Sequence, residues 1–264
     1  MLTAGYEVEA YNTAKHSENR IHDDSVARRF GFTGGLVPGV DVYAYMTHLP
    51  VARWGRDWLE HGTAECRFGK PVYDGDRALV TPTPDGEGMA LLVESKGVVC
   101  ATGAAALPPA GAEPDLTARP LPPPPPEERP AASVTSLAQG LWLGIPPLPV
   151  TPEFAAKYYD DVRETEALYH REGVIHPGLI LRMCNWALTY NVLLGPWIHV
   201  GSRVANLSAG RVGETLTVRA RVARNYEHKG HLFVDLDALV LGDGRPLARI
   251  DHTAIYRPRQ VMEA

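Results

Sequence analysis

From residue 108 to 130 the chain reads PPAGAEPDLTARPLPPPPPEERP, with ten prolines, five of them consecutive at Pro122 to Pro126. Proline locks φ and offers no backbone donor, so neither a helix interior nor a central strand runs through such a segment. Its natural state is an extended polyproline II spacer. A proline-rich ligand for a recognition domain is the alternative reading, and composition favours the spacer. The segment splits the 264 residues into halves of similar length. The expected organisation is an N-terminal unit over 1–107, a linker over 108–134 and a C-terminal unit over 135–264. At 45% hydrophobic residues, each half holds enough apolar material for its own core.

The halves share an outline. GGLVPGV (34–40) precedes an apolar stretch from Val42 to Trp58, with Val42, Tyr45, Met46, Leu49 and Ala52 at helical spacing. GVIHPGL (173–179) precedes Ile180 to Leu194, with Leu181, Cys184, Leu188 and Val192 spaced likewise. A Pro-Gly pair opens each predicted helix, where proline costs least. After each helix the hydrophobic period falls to two: Thr215, Thr217, Arg219 and Arg221 alternate with Leu216, Val218, Ala220 and Val222. Gly75-Asp76 matches Gly213-Glu214, and Gly97 to Ala101 matches Gly244 to Ala248, as turns of an antiparallel meander. A helix followed by a meander, twice over, predicts a duplicated α+β architecture.

Several function classes fall away. A formal charge of −5, with Arg28-Arg29 the one adjacent basic pair, does not suit nucleic acid. Cys66, Cys100 and Cys184 are too few and too scattered for a disulfide framework, and read as buried free thiols. The start MLTAGYEVEAYNTAKH shows no basic region followed by an apolar one, and no apolar run reaches membrane-spanning length, so a cytoplasmic protein is expected. The ten histidines form no HxxxH or HxH with an acidic third ligand, so no metal is expected. GxGxxG, GxxxxGK[ST] and GxSxG are absent, and no nucleotide cofactor or α/β-hydrolase elbow is expected.

Ser17-Glu18-Asn19-Arg20-Ile21-His22-Asp23-Asp24, then Ala27, Gly31-Phe32 and the Pro-Gly helix start, resembles the signature of MaoC-like hydratases and dehydratases. That signature runs Asp-x-Asn-Pro-Ile/Leu-His, then an alanine, Gly-Phe, and a glycine opening the central helix. FGKPVYDGD (68–76) is similar to the family's strand-turn motif after that helix. The resemblance implies a double hotdog fold, two central helices each wrapped by an antiparallel β-sheet. It also implies a hydro-lyase that adds or removes water across the double bond of an acyl-CoA or acyl-carrier-protein thioester, as in fatty acid metabolism.

Carried over, His22 stands at the family's catalytic histidine and Asn19 at its substrate-orienting asparagine. The amides of Gly39 and Val40, at a helix start, would polarise the thioester carbonyl. Ser17 occupies the place of the family's aspartate and Arg20 that of its proline. Ser17 could hold a water, while Glu18, Asp23 or Asp24 could replace the carboxylate; Asp24 is preferred because it could orient the imidazole. Asp23-Asp24 also suits a helix start. The second half, YYDDVRETEALYHREGVIHPG, lacks Asn-x-x-His and is similar to the degenerate half of double-hotdog enzymes. His176 and Gly178 at its helix start could face the same cleft, with a structural histidine as the rival reading; Tyr158, Asp160 and Asp161 come second. A non-catalytic acyl-thioester-binding protein and a hotdog thioesterase remain as alternatives. The two halves should pair edge to edge as an internal pseudo-dimer, with a further homodimer possible.

Overall fold

The computed structural model describes residues 4–15, 17–29, 31–109 and 115–259. The first half runs β1 (Tyr6–Glu9), a 3₁₀ turn (Arg20–His22), α1 (Asp24–Arg29), α2 (Gly39–Trp54), α3 (Arg56–His61), β2 (Thr63–Phe68), β3 (Arg77–Asp85), β4 (Gly88–Ser95) and β5 (Val98–Ala106). After the proline-rich segment come β6 (Trp142–Leu143), β7 (Leu148–Pro149), α4 (Pro152–Asp161), α5 (Leu168–Glu172), α6 (Pro177–Thr189), β8 (Ile198–Asn206), β9 (Thr215–His228), β10 (His231–Gly242) and β11 (Arg245–Arg257). Both halves form the predicted helix and meander.

The strands make one antiparallel sheet in the order β1-β3-β4-β5-β2-β8-β11-β10-β9-β6, with β7 also on β9. β2 and β8 join the halves, from Thr63 opposite Ala205 to Arg67 opposite Gly201. Each half thereby covers the other's exposed sheet edge, the internal pairing that the duplication predicts. Corresponding hairpins use the same two-residue turn: Lys96-Gly97 has φ 51° and 73°, and Asp243-Gly244 has φ 47° and 82°. Positive φ at both central positions matches the right-handed twist of the flanking strands.

α2 is buried on nearly every side, from Val40 through Thr47 and again at Leu49 to Val51, as befits a helix apolar all round. It ends at Trp54, short of the predicted Trp58, because Gly55 turns the chain into α3. α6 likewise ends at Thr189 rather than Leu194: Leu193 bonds to the proline-rich segment, through Leu193 N to Pro130 O and Ala132 N to Leu193 O. That segment is docked too, with Arg119 on the Asp237 carboxylate at 2.7 and 2.8 Å. Among the described residues, no helix is long and apolar enough to cross a membrane. All three cysteines are free and buried, and burial pushes the Cys66 thiol up to about 12.

Candidate active site

His22 ends the 3₁₀ turn beside the start of α2, and its backbone and ring are both fixed. Its N–H donates to Asn19 O at 3.2 Å, and buried Asn12 donates from Nδ2 to its carbonyl at 2.9 Å. In the ring, Nδ1 lies 2.7 Å from the Leu36 carbonyl. A carbonyl only accepts, so the proton sits on Nδ1 and Nε2 keeps its lone pair. Burial lowers the His22 pKa, partly opposed by the Leu36 bond and by Asp41, with Arg182 adding to the lowering. The imidazole is therefore neutral at pH 7, and Nε2 is its basic nitrogen. Asn19 Nδ2 stands 3.3 Å from that nitrogen. The Asn19 amide is held by both backbone groups of Trp197, donating to its oxygen at 3.1 Å and accepting from its nitrogen at 3.3 Å. One side chain of the first half is thus locked to the entry of β8 in the second.

The base opens into a cleft of about 190 Å³ lined by Asn19, Ile21, His22, Leu36, Pro38, Gly39, Val42, Phe68, Asn185, Trp197 and His199, among others. A second hollow of about 370 Å³ meets it at Asn19, His22, Pro38, Asn185 and Trp197, and also touches Ser17, Glu18, Val40, Arg129 and Arg182. Gly39 and Val40 open α2. Pro38 lends no side-chain cap, and the first N–H groups bonded back to Pro38 O are those of Asp41 and Val42. The amides of residues 39 and 40 are left for a ligand, at the positive end of the helix. A β-carbon at position 39 would sit 2.9 Å from His199 Nδ1 and 3.1 Å from the Phe68 ring, so only glycine allows this approach. Behind the helix start, fully buried Asp41 pairs with Arg182 of α6 and accepts from Thr13 Oγ at 2.7 Å.

The expected residues separate into two groups. His22, Asn19, Gly39 and Val40 come together. Ser17 sits on the outer hollow, exposed, its hydroxyl directed at Asn19 O at 3.4 Å. Asp24 makes no bond with the imidazole; its Oδ1 accepts from Gly35 N at 2.6 Å, and Leu36 O takes the orienting role. Asp23 caps α1, accepting from Ser25 N and Val26 N. Glu18 pairs with Arg129 at 2.8 Å. The placing of His176 and Gly178 on the cleft needs correction. His176 is 0% exposed. Its Nδ1 caps α6 by accepting from Gly178 N at 3.0 Å, and its Nε2–H faces Glu164 at 3.1 Å. A β-carbon on Gly178 would lie 2.5 Å from Tyr158 Oη and 2.7 Å from Ala44 Cβ, so this glycine serves the contact between α6 and α2.

Four cleft residues come from the second half without any signature: Asn185, Trp197, Ile198 and His199. Asn185 Oδ1, Trp197 Nε1 and His199 Nδ1 are buried and meet no hydrogen-bond partner among the described residues. Unpartnered polar atoms around an apolar cleft mark a ligand site, since buried polar groups otherwise find partners.

No family model matches the sequence, and no curated protein does. Solved structures do match over nearly the whole chain. A conserved hypothetical Mycobacterium tuberculosis protein with a double hotdog fold is 14% identical, with a TM-score of 0.61 and 96% of each chain covered. A structure assigned as a MaoC domain protein dehydratase from Chloroflexus aurantiacus J-10-fl is 11% identical, with a TM-score of 0.59, covering 97% of this chain and 96% of that one. A further match, assigned as a thioesterase from Novosphingobium aromaticivorans, is 11% identical with a TM-score of 0.52, covering 85% and 89%. The likeness over nearly the whole chain, with the edge-to-edge sheet, identifies the fold as a double hotdog, with MaoC-like dehydratases among its structural neighbours.

Proposed function

We propose that the chain is a hydro-lyase acting on a CoA or carrier-protein acyl thioester, hydrating a 2-enoyl group or dehydrating the 3-hydroxyacyl product. One observation carries the reading: a neutral histidine, with its basic Nε2 beside the Asn19 amide, shares an apolar cleft with the uncapped start of a buried helix. In hydration, the thioester carbonyl accepts from the Gly39 amide, which stabilises negative charge as the enolate forms. His22 Nε2 takes a proton from water while the water oxygen bonds to Cβ and the π electrons shift toward the carbonyl. The imidazolium then returns that proton to Cα and the enolate collapses. Water adds to one face, and His22 ends as it began. Asn19, fixed by Trp197, orients the water. One base suffices here, which accommodates Ser17 where the family signature has an aspartate.

The thioesterase alternative calls for a carboxylate to activate water. Among the described residues lining the inner cleft there is none, and Glu18 at the outer hollow is paired with Arg129. The direct test incubates the protein with crotonyl-CoA and follows loss of the enoyl absorbance, with free thiol measured in parallel. Thiol release without hydration would replace this reading by the thioesterase. No turnover on short, long or branched enoyl thioesters by folded protein would leave only a binding role.

A further inference from the structure

We infer that His199 is a second donor to the thioester carbonyl, its Nδ1–H held toward the cleft, beside Gly39, by Ser202 and His252. The inference rests on the acyl-thioester reading of the cleft but not on the reaction that follows.

The chain of contacts is short and buried. His199 Nε2 lies 2.9 Å from Ser202 Oγ, and Ser202 Oγ lies 3.0 Å from His252 Nδ1. The two rings stack with centroids 4.3 Å apart, and all three residues are at most 6% exposed. A bulge makes this possible. His199 pairs with Ala254 and Gly201 with Thr253, so Val200 is extra. In a regular strand residues 199 and 202 point to opposite faces; one inserted residue restores them to the same face. Ser202 and His252 are directly opposite across β8 and β11.

The Ser202 hydroxyl bonds to no third group among the described residues, so satisfying its single proton means donating to one ring and accepting from the other. Two arrangements follow. In the first, His252 carries its proton on Nε2 and His199 Nδ1 is bare. In the second, His252 Nδ1–H donates to Ser202, Ser202 donates to His199 Nε2, and His199 carries its proton on Nδ1. His252 Nε2 is buried and meets no partner. His199 Nδ1 is equally buried and unpartnered, so each arrangement leaves one ring N–H without an acceptor; at His199 a thioester carbonyl in the Gly39 cleft supplies that acceptor, and the bound ligand selects the second arrangement. Burial, then the neighbouring His252, holds His199 well below the ordinary histidine range against an opposing contact with the Gly201 backbone, and burial alone holds His252 at about 3. Both rings stay neutral. The unpartnered His199 Nδ1–H then points where a β-carbon on Gly39 would stand 2.9 Å away. It converges with the Gly39 amide on one acceptor, and two fixed neutral donors suit a carbonyl oxygen that becomes an enolate.

Long-range ¹H–¹⁵N NMR of the full chain with butyryl-CoA bound should show His199 as the neutral Nδ1–H tautomer. A proton on Nε2 overturns the inference and leaves the hydro-lyase reading intact. Butyryl-CoA labelled with ¹³C at the carbonyl then serves as the probe, read by isotope-edited infrared difference spectroscopy. The bound C=O band should move to lower frequency. The shift should shrink in His199→Leu and Ser202→Ala and persist in Ser202→Thr, which keeps the hydroxyl. If all three variants leave the band as in the parent, or Ser202→Thr loses it as fully as Ser202→Ala, the carbonyl role is overturned. On crotonyl-CoA, His199→Leu should lower kcat by about 10²-fold with KM changed far less. A shifted band in a protein that turns over no enoyl thioester overturns the hydro-lyase reading and retains the donor.

Discussion

α2 and α6 begin alike in sequence, with Pro38-Gly39 and Pro177-Gly178, yet the two starts are finished differently. At α6 the preceding residue, His176, folds back to cap the Gly178 amide, and Glu164 holds the far side of its ring. Gly178 closes the contact with Ala44 and Tyr158. At α2 the preceding residue is Val37, which has no side-chain acceptor, and the amides of Gly39 and Val40 stay open, Gly39 on the apolar cleft with His22 on its wall and Val40 on the outer hollow. One copy has its helix start satisfied internally; the other leaves it without a partner among the described residues. A duplicated fold can divide labour in this way because capping and ligand binding draw on the same unpaired amides.

Substitution should separate the two starts. His22→Ala removes the base and should lower kcat on crotonyl-CoA by about 10²- to 10⁴-fold, while the melting temperature stays near that of the parent. If activity survives, the open start is not a catalytic one. His176→Ala should do the reverse. It removes a cap worth about 1 kcal/mol and strips one partner from buried Glu164, where losing a partner outright costs about 3–5 kcal/mol. His48 at 2.7 Å and the amides of Thr165 and Glu166 still hold that carboxylate. A net loss of about 2–3 kcal/mol in urea unfolding follows, with kcat per folded molecule close to the parent's. The glycines give a subtler contrast. Gly178→Ala overpacks the helix contact and should cost about 1–3 kcal/mol of stability. Gly39→Ala meets the movable Phe68 ring and His199, so its loss should appear in turnover first. Equal melting shifts in both would erase the distinction between the starts.

The duplication, the α+β class and the helix starts were legible because each is a local pattern: a proline run, a change of period, a Pro-Gly pair. Asn19 and His22 were legible as a short motif. Helix ends were less so, because Leu193 is captured by Pro130 and Ala132, a contact some sixty residues distant in the chain. The second-half wall was illegible for the same reason. Trp197 and His199 reach the cleft only because β8 pairs with β2, and period-two reading assigns His199 and Ser202 to opposite faces unless the bulge at Val200 is known. Sequence could not decide His176 either. A histidine before Pro-Gly serves as cap or cleft residue according to where Glu164 stands, and Glu164 is placed by the turn after α4.

The smallest effect, and the one that sets the two halves against each other without substitution, is pH. In the proposed mechanism His22 works as the neutral base, and burial lowers its pKa below the ordinary value of about 6.5. The acid limb of kcat/KM should therefore fall below pH 6.5, and His22→Ala should abolish it. In the second half, burial pushes the Glu164 carboxyl up, but the hydrogen bonds from His176 and His48 outweigh it and hold the carboxyl well below the usual range. A carboxylate depressed in the folded state adds stability that is complete above the unfolded value of about 4.3 and is lost as pH falls toward the folded one. Activity should thus fade at a pH where the thermal melt is still intact, and stability should fail only on further acidification. Melts and rates taken on the same buffers check this directly. If the two curves fall together, the loss of activity reports unfolding around Glu164, and the base at position 22 has no separate titration to show.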